Sequence, residues 1–87
     1  MKIKDGFVVR EIAGQCVVIA LGAASKNFNG MIKLNETGRV IWDMLSNGKT
    51  PEEIVARITE EYDVDAETVR KDVDAFINTL EGANILE

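Results

Sequence analysis

Histidine is absent from this chain, and cysteine and proline each occur once among its 87 residues. Without histidine, the commonest general base, proton shuttle and imidazole metal ligand are missing. The one thiol, Cys16, cannot form an intramolecular disulfide or supply the several thiolates of a zinc or iron–sulfur site. It lies in an apolar run without a neighbouring cation, which is typical of a structural thiol. We therefore predict a protein that is not an enzyme, with no catalytic residue, cofactor or metal.

Long apolar runs are absent too, whereas a membrane-spanning helix needs about 20 such residues. The start, MKIKDG, has two lysines but reaches Asp5 and Gly6 before any apolar stretch, so no signal peptide is readable. Neither of the glycine-rich phosphate-binding patterns, GxGxxG and GxxxxGK[ST], occurs. We expect a cytoplasmic protein without a membrane partner.

The composition that remains is that of one ordered domain covering residues 1–87, with 46% hydrophobic and 29% charged residues. The net charge of −5 is unevenly distributed. Up to Asn35 there are five Lys/Arg against two Asp/Glu, giving +3, and from Glu36 onward there are five against thirteen, giving −8. This asymmetry would orient a charged partner, and it places the acidic half away from nucleic acid.

The first third of the chain has the pattern of β-strands. Residues 7–12 and 15–21 are rich in β-branched side chains and are separated by Ala13-Gly14, which predicts a hairpin whose turn uses the positive φ of Gly14. Residues 28–34 then alternate apolar and polar side chains, which predicts a third strand with one buried face.

Three helices follow, each with a capping residue. Asn35 caps a helix over residues 36–46, which Gly48 ends, and Thr50-Pro51-Glu52-Glu53 begins a second helix with a capping box. Asp65 caps a third helix that reaches residue 81 and stops at Gly82. Together the elements predict an α+β, winged-helix-like fold, in which a three-stranded antiparallel sheet is followed by three helices.

On the third helix, Val69, Val73, Phe76 and Leu80 form the apolar stripe. Ile77 lies about 60° from the centre of that stripe, on a shoulder shared with Arg70 and Asp74. Two interpretations stay open here: Ile77 lines a groove, or it completes a wide core-facing stripe.

The segments LNETGRVIWDML, GKTPEEIVARITEEYDVD and VRKDVDAFINTLEGANILE resemble the PqqD family, named for pyrroloquinoline-quinone biosynthesis, over essentially the whole domain. The positions that carry the resemblance are Leu34-Asn35, Ile41-Trp42, Leu45, Gly48, Thr50, Asp72-Val73, Phe76 and Leu80. Most of them are structural residues, so they indicate the fold more directly than any ligand.

The resemblance implies a non-catalytic peptide chaperone, like the related RiPP recognition elements of ribosomally made peptide pathways. Such proteins bind the leader segment of a precursor peptide and present it to a modifying enzyme, often a radical S-adenosylmethionine (radical SAM) enzyme. The leader would add as a strand beside the third strand, in the groove towards the third helix. By position, the peptide-binding residues are then Asn29, Gly30, Met31, Ile32, Lys33, Leu34, Arg70, Val73 and Ile77.

Within that set, Met31 offers an adaptable apolar contact and Ile77 a groove wall. Lys33 and Arg70 are counter-charges for an acidic leader. The same edge strand that accepts a leader can pair with a second copy, so we expect a monomer or a weak dimer.

Two other functions compete with this one. A winged-helix nucleic-acid-binding or transcription-regulatory domain fits the connectivity, but Arg70 and Lys71 are surrounded by acidic residues on the helix that would enter the groove. An acyl or peptidyl carrier fits the size and acidity, but Ser25 and Ser46 lack the Asp-Ser-Leu setting of a phosphopantetheine site. We therefore expect a peptide partner and no nucleic acid.

Overall fold

The computed structural model describes residues 2–26 and 30–87. Its elements are β1 (Phe7–Ile12), β2 (Gln15–Ala20), a 3₁₀ turn (Gly22–Lys26), β3 (Ile32–Leu34), α1 (Glu36–Ser46), α2 (Pro51–Glu61) and α3 (Ala66–Gly82). The predicted α+β architecture, with an antiparallel sheet followed by three helices, is confirmed.

The sheet is a meander in the order β1-β2-β3, and both pairings are antiparallel. At the hairpin turn, φ is +52° at Ala13 and +78° at Gly14. Positive φ at both central residues is the geometry of the two-residue turns that match strand twist. The sequence assigned positive φ to Gly14 alone, so the left-handed Ala13 is a structural finding.

The third strand is shorter than predicted. Residues 28–34 were expected to form it, whereas β3 contains only Ile32–Leu34; Gly30 lies in a bend and Met31 precedes the strand. Phe28 and Asn29 lie outside the described residues. The alternation is confirmed within β3, where Leu34 is buried, Ile32 is half-buried and Lys33 is exposed. Gly30 has no side chain to pack against β2, which disfavours extending the ladder to it.

The helix caps follow the sequence closely. The Asn35 side chain accepts a hydrogen bond from Gly38 N at 2.7 Å, and the Asp65 side chain accepts one from Thr68 N at 3.1 Å. At the end of α3 the prediction was off by one residue, because Gly82 is the last helical residue and Asn84 adopts the left-handed conformation, with φ +61°.

The core lies between the sheet and the three helices, and the chain ends close onto it. Its buried residues are Val18, Leu34, Ile41, Trp42, Leu45, Ile54, Ile58, Val69, Val73, Ile77, Leu80 and Ile85. Ile85 is fully buried, and Leu86 pairs with Ile3 in an isolated antiparallel bridge, so the C-terminal residues return to the core. Within residues 2–26 and 30–87, no helix is both long and apolar enough to cross a membrane.

The start of α2 carries a titratable contact. Glu53 N donates to the Thr50 hydroxyl at 3.2 Å, and Thr50 N donates to Glu53 Oε1 at 3.0 Å, which completes the capping box. The hydrogen bond from the Thr50 backbone, and next that of its side chain, lowers the pKa of the Glu53 carboxyl. The carboxylate is therefore favoured in the folded state over the unfolded chain.

Because the folded-state pKa of Glu53 is lowered, its contribution to stability is present above its unfolded pKa of about 4.3 and is lost as pH falls through the folded value. We expect Glu53→Gln to lower the urea midpoint at pH 7, with the gap to wild type narrowing between about pH 5 and pH 3. Glu60→Gln is the control, since the exposed Glu60 side chain makes no hydrogen bond or ion pair within the described residues. A difference in urea midpoint that stays constant with pH would contradict the proposed role of the Glu53 carboxylate in the cap.

Candidate functional site

β3 forms an open edge of the sheet. Among residues 2–26 and 30–87 its one partner strand is β2, through Leu34 with Cys16, Lys33 with Val17 and Ile32 with Val18. Residues of an antiparallel strand direct their N–H and C=O groups alternately to either side, so part of the β3 backbone faces away from β2. Such an edge is a template for another extended chain.

The side chains of this edge segment present two different faces. Leu34 and Ile32 point to the core, whereas Lys33 is exposed on the opposite face, and Met31 beside it is 56% exposed. A strand added at β3 would therefore lie between an apolar floor and an adaptable outer rim. Gly30 is exposed, and a Cβ built on it would meet no atom within 4 Å.

Val73 and Ile77 lie inside the core, with exposures of 0% and 5%. Of the two interpretations of Ile77, the structure favours completion of the core-facing stripe. These residues can form the floor beneath a groove, but they offer almost no free surface to a partner.

Arg70 lies on the side of α3 that faces α2. Its guanidinium is 3.6 Å from the Glu52 carboxylate at the start of α2, and 3.3 Å from Asp74 one turn along α3. It therefore already has two acidic partners, which compete with any acidic leader side chain for its charge.

The opposite flank of α3 approaches the end of β3. A Cβ built on Gly38, in the first turn of α1, would lie 3.4 Å from Phe76 Cε2, 3.6 Å from Leu34 Cδ2 and 3.2 Å from Asn35 Oδ1. Leu34 and Phe76 thus both reach the bare backbone of Gly38. On a helix, positions 70 and 76 are about 120° apart, so Phe76 and Arg70 lie on different sides of α3.

A channel of about 290 Å³ runs along this flank. Its walls are Asn35, Thr37, Gly38 and Ile41 from the start of α1 and Asp72, Ala75, Phe76 and Thr79 from α3. We call the four α3 residues the Phe76 flank. The sequence analysis placed Phe76 on the buried stripe and did not single out Asp72 or Thr79 as site residues. Asp72 and Thr79 each lie about one helical turn from Phe76, and this spacing was the available signal that the three share one side of α3.

Lys33 is the exposed cation of the edge, and no ion-pair partner is found for it within residues 2–26 and 30–87. It sits in a cross-strand row in which Val17 of β2 lies between Lys33 of β3 and Arg10 of β1. The two cations therefore occupy the same face at opposite edges of the sheet. An acidic partner at the β3 edge would meet Lys33 first.

No catalytic or metal constellation accompanies this edge in the described part of the chain. Cys16 is half-buried opposite Leu34, and Arg39 Nη1–H donates to its Sγ at 3.7 Å. The hydrogen bond to Asp43, and then that to Cys16, raises the pKa of Arg39. Groups of three or more His, Cys, Asp or Glu side chains able to hold a metal are not found among the described residues.

The fold and this edge define a class: small α+β domains with an open strand beside the start of one helix and the flank of another. The chain belongs to the PqqD family, described as coenzyme PQQ synthesis protein D, whose sequence profile matches residues 15–86. No curated protein matches the chain significantly.

Two solved structures are similar throughout. One is TbiB1 in complex with the TbiA(beta) leader peptide, at 37% identity and a TM-score of 0.79, with 100% of this chain and 95% of that chain covered. The other is lasso peptide synthetase B1 complexed with the leader peptide, at 20% identity and a TM-score of 0.75, with coverage of 98% and 93%. The second likeness shows the fold alone.

Because Ile77 is buried in the core, we expect Ile77→Ala to lower the unfolding free energy by about 2–4 kcal/mol. Asn78→Ala, at the next and exposed position, should change it by less than about 0.5 kcal/mol. Urea denaturation of both variants measures this difference. Equally small decreases in unfolding free energy for the two variants would contradict the burial of Ile77 in the core.

Proposed function

We propose that this protein is a non-catalytic peptide chaperone, which binds the leader segment of a ribosomally synthesised precursor peptide by strand addition at the open edge of β3. The observation that carries the proposal is the open β3 edge, which leads into Asn35 at the wall of the channel of the Phe76 flank. Family membership and the leader-peptide complex of the 37% identical TbiB1 support it.

The energetics require side-chain contacts as well as backbone pairing. A strand of three residues offers only a few backbone hydrogen bonds, each worth ~1 kcal/mol net. Association costs at least ~4 kcal/mol in lost freedom, so two or three leader side chains, buried at ~1.5–3 kcal/mol each, must supply the surplus. Met31 on the outer face and the Phe76 and Ala75 side chains in the wall of the channel are the apolar surfaces on which they would rest. Micromolar affinity is the expected result.

This geometry revises the set of contact residues within the proposal. The proposed contacts at the edge and its rim remain Gly30, Met31, Ile32, Lys33 and Leu34. Asn29, the sixth residue of the predicted set on this side, lies outside the described residues. Val73 and Ile77 act as floor, while the Phe76 flank takes the place of Arg70 as the α3 wall.

The bound leader would be presented to a modifying enzyme, such as a radical SAM enzyme, as the PqqD family membership suggests. The chain itself supplies binding and no chemistry in this proposal. A second copy would compete for the same β3 edge, so leader binding and dimerisation through β3 exclude one another.

A nucleic-acid-binding function is not favoured. The two cations of α3, Arg70 and Lys71, are paired with acidic neighbours, and Asp72 on the same helix adds further negative charge. A helix with this charge would repel phosphates.

The charge row across the sheet allows a matched test with the leader region of a precursor peptide encoded beside the gene. We expect Lys33→Glu to weaken binding of an acidic leader about three- to tenfold in calorimetric titration, because Lys33 lies at the edge where the leader would add.

Arg10→Glu is the control, since it reverses the same charge on the same face of the far strand. It should weaken binding less than about twofold at 0.15 M salt, where charges beyond about 8 Å are screened. An equal loss of leader affinity in the two variants would indicate a general electrostatic attraction to the sheet and not binding at the β3 edge. Unchanged leader affinity in both variants would remove Lys33 from the site.

A further inference from the structure

A second cavity, of about 230 Å³, lies where the start of α1 meets the end of α2 and the start of α3. Val40, Ile58 and Val69 line its interior from the three helices. Tyr62, which is 42% exposed, lines its wall just after α2. The space suits one long side chain and not a folded segment.

Two carboxylates, Glu36 and Asp72, line the same cavity. Both are exposed, and within residues 2–26 and 30–87 neither has an ion-pair partner. No cation is among the described residues that line the cavity. The nearest basic neighbours of Asp72 in sequence, Arg70 and Lys71, are engaged with Glu52, Asp74 and Glu67. The opening is therefore a negative site with apolar walls, in the half of the chain that has thirteen Asp/Glu against five Lys/Arg, a net charge of −8.

This combination matches the chemistry of a lysine or arginine side chain. The methylene stem of such a side chain gains from apolar walls, while its charged head stays at the solvent-facing mouth. Carboxylates there form charge-assisted hydrogen bonds, and the face of a tyrosine ring attracts a cation. An acidic side chain would be repelled, and a neutral aliphatic one would gain only from the walls.

The cavity continues the channel of the Phe76 flank, because both are lined by Thr37 and Asp72. β3 leads directly through Asn35 into α1, so the end of the β3 edge points towards this region. A peptide added at β3 would place residues that flank its paired segment over the channel and towards the cavity.

We infer that this cavity is a specificity subsite for a lysine or arginine side chain of the bound peptide, held by Glu36, Asp72 and Tyr62. The inference rests on the proposed function for the source of the side chain, but the preference of the cavity for a cation is a property of the free protein. The subsite would select leaders with a basic residue next to the segment that pairs with β3.

The test uses the isotope-labelled full chain and three small probes: the N-acetyl, N-methylamide derivatives of lysine, arginine and norleucine. We expect the lysine and arginine probes to shift the amides of Thr37, Val64 and Thr68, and to bind about three- to tenfold more tightly than norleucine at low salt. The difference should largely vanish in 0.5 M salt, because the rim charges are exposed.

The double variant Glu36→Gln/Asp72→Asn should lower the affinity of the lysine and arginine probes to that of the norleucine probe. The control Glu60→Gln/Glu81→Gln removes two exposed carboxylates outside the cavity and should retain the preference. Thermal melts check that both variants fold.

Equal binding of lysine and norleucine would overturn the inference and leave an apolar pocket without charge selectivity. Absence of shifts at the cavity would overturn it entirely. Because no leader is present in this assay, its failure leaves strand addition at β3 untouched, and failure of leader binding at β3 leaves the probe result standing.

Discussion

The structure depends on the close approach of α3 to the first turn of α1, at Gly38. There the backbone is bare, and Phe76, Leu34 and the Asn35 cap all lie within 3.2–3.6 Å of the point where a Cβ would stand. A Cβ at this position would be in ordinary van der Waals contact with Phe76 and Leu34, but it would press on the Asn35 side-chain oxygen and so disturb the helix cap. The end of β3, the start of α1 and one flank of α3 therefore meet at one packed corner, and the channel lies between α1 and α3 beside it.

Local chemistry was enough to predict most of the architecture from the sequence. The caps at Asn35, Thr50 and Asp65 each use a side chain that accepts a hydrogen bond from a nearby backbone N–H, so they can be read from a few neighbouring residues. The alternation of Ile32, Lys33 and Leu34 likewise reflects only the period of a strand. The length of β3 was overestimated, because pairing also depends on what Gly30 can pack against β2, which is not a local property.

The site was less predictable because it depends on the rotation of α3. A stripe of apolar residues shows which face of a helix is buried, but both shoulders of the stripe look alike in the sequence. The sequence analysis singled out Ile77 and Arg70 on one shoulder and placed Phe76 in the stripe itself, because the neighbours of these side chains cannot be read from the sequence. The ion pair of Arg70 with Glu52 and the contact of Phe76 with Gly38 assign the two shoulders to α2 and to the β3 corner.

In the proposed function, the β3 edge and the channel with its adjoining cavity contribute differently to recognition of the leader. An edge strand pairs with any backbone, so β3 alone would give affinity without selectivity and a tendency to self-association. The channel, and the acidic cavity that continues it, would add side-chain requirements that a second copy or an unrelated strand does not meet. Selectivity would then come from the helical half of the chain, and backbone pairing from the sheet.

The most direct measurement is an amide-shift titration of the isotope-labelled protein with the leader region of a precursor peptide encoded beside its gene. The account predicts shifts concentrated in residues 30–35, Gly38 and the Phe76 flank, together with slowed amide exchange in β3. Shifts confined to β1, to the Arg70 side of α3 or to no region at millimolar peptide would contradict leader binding at the β3 edge.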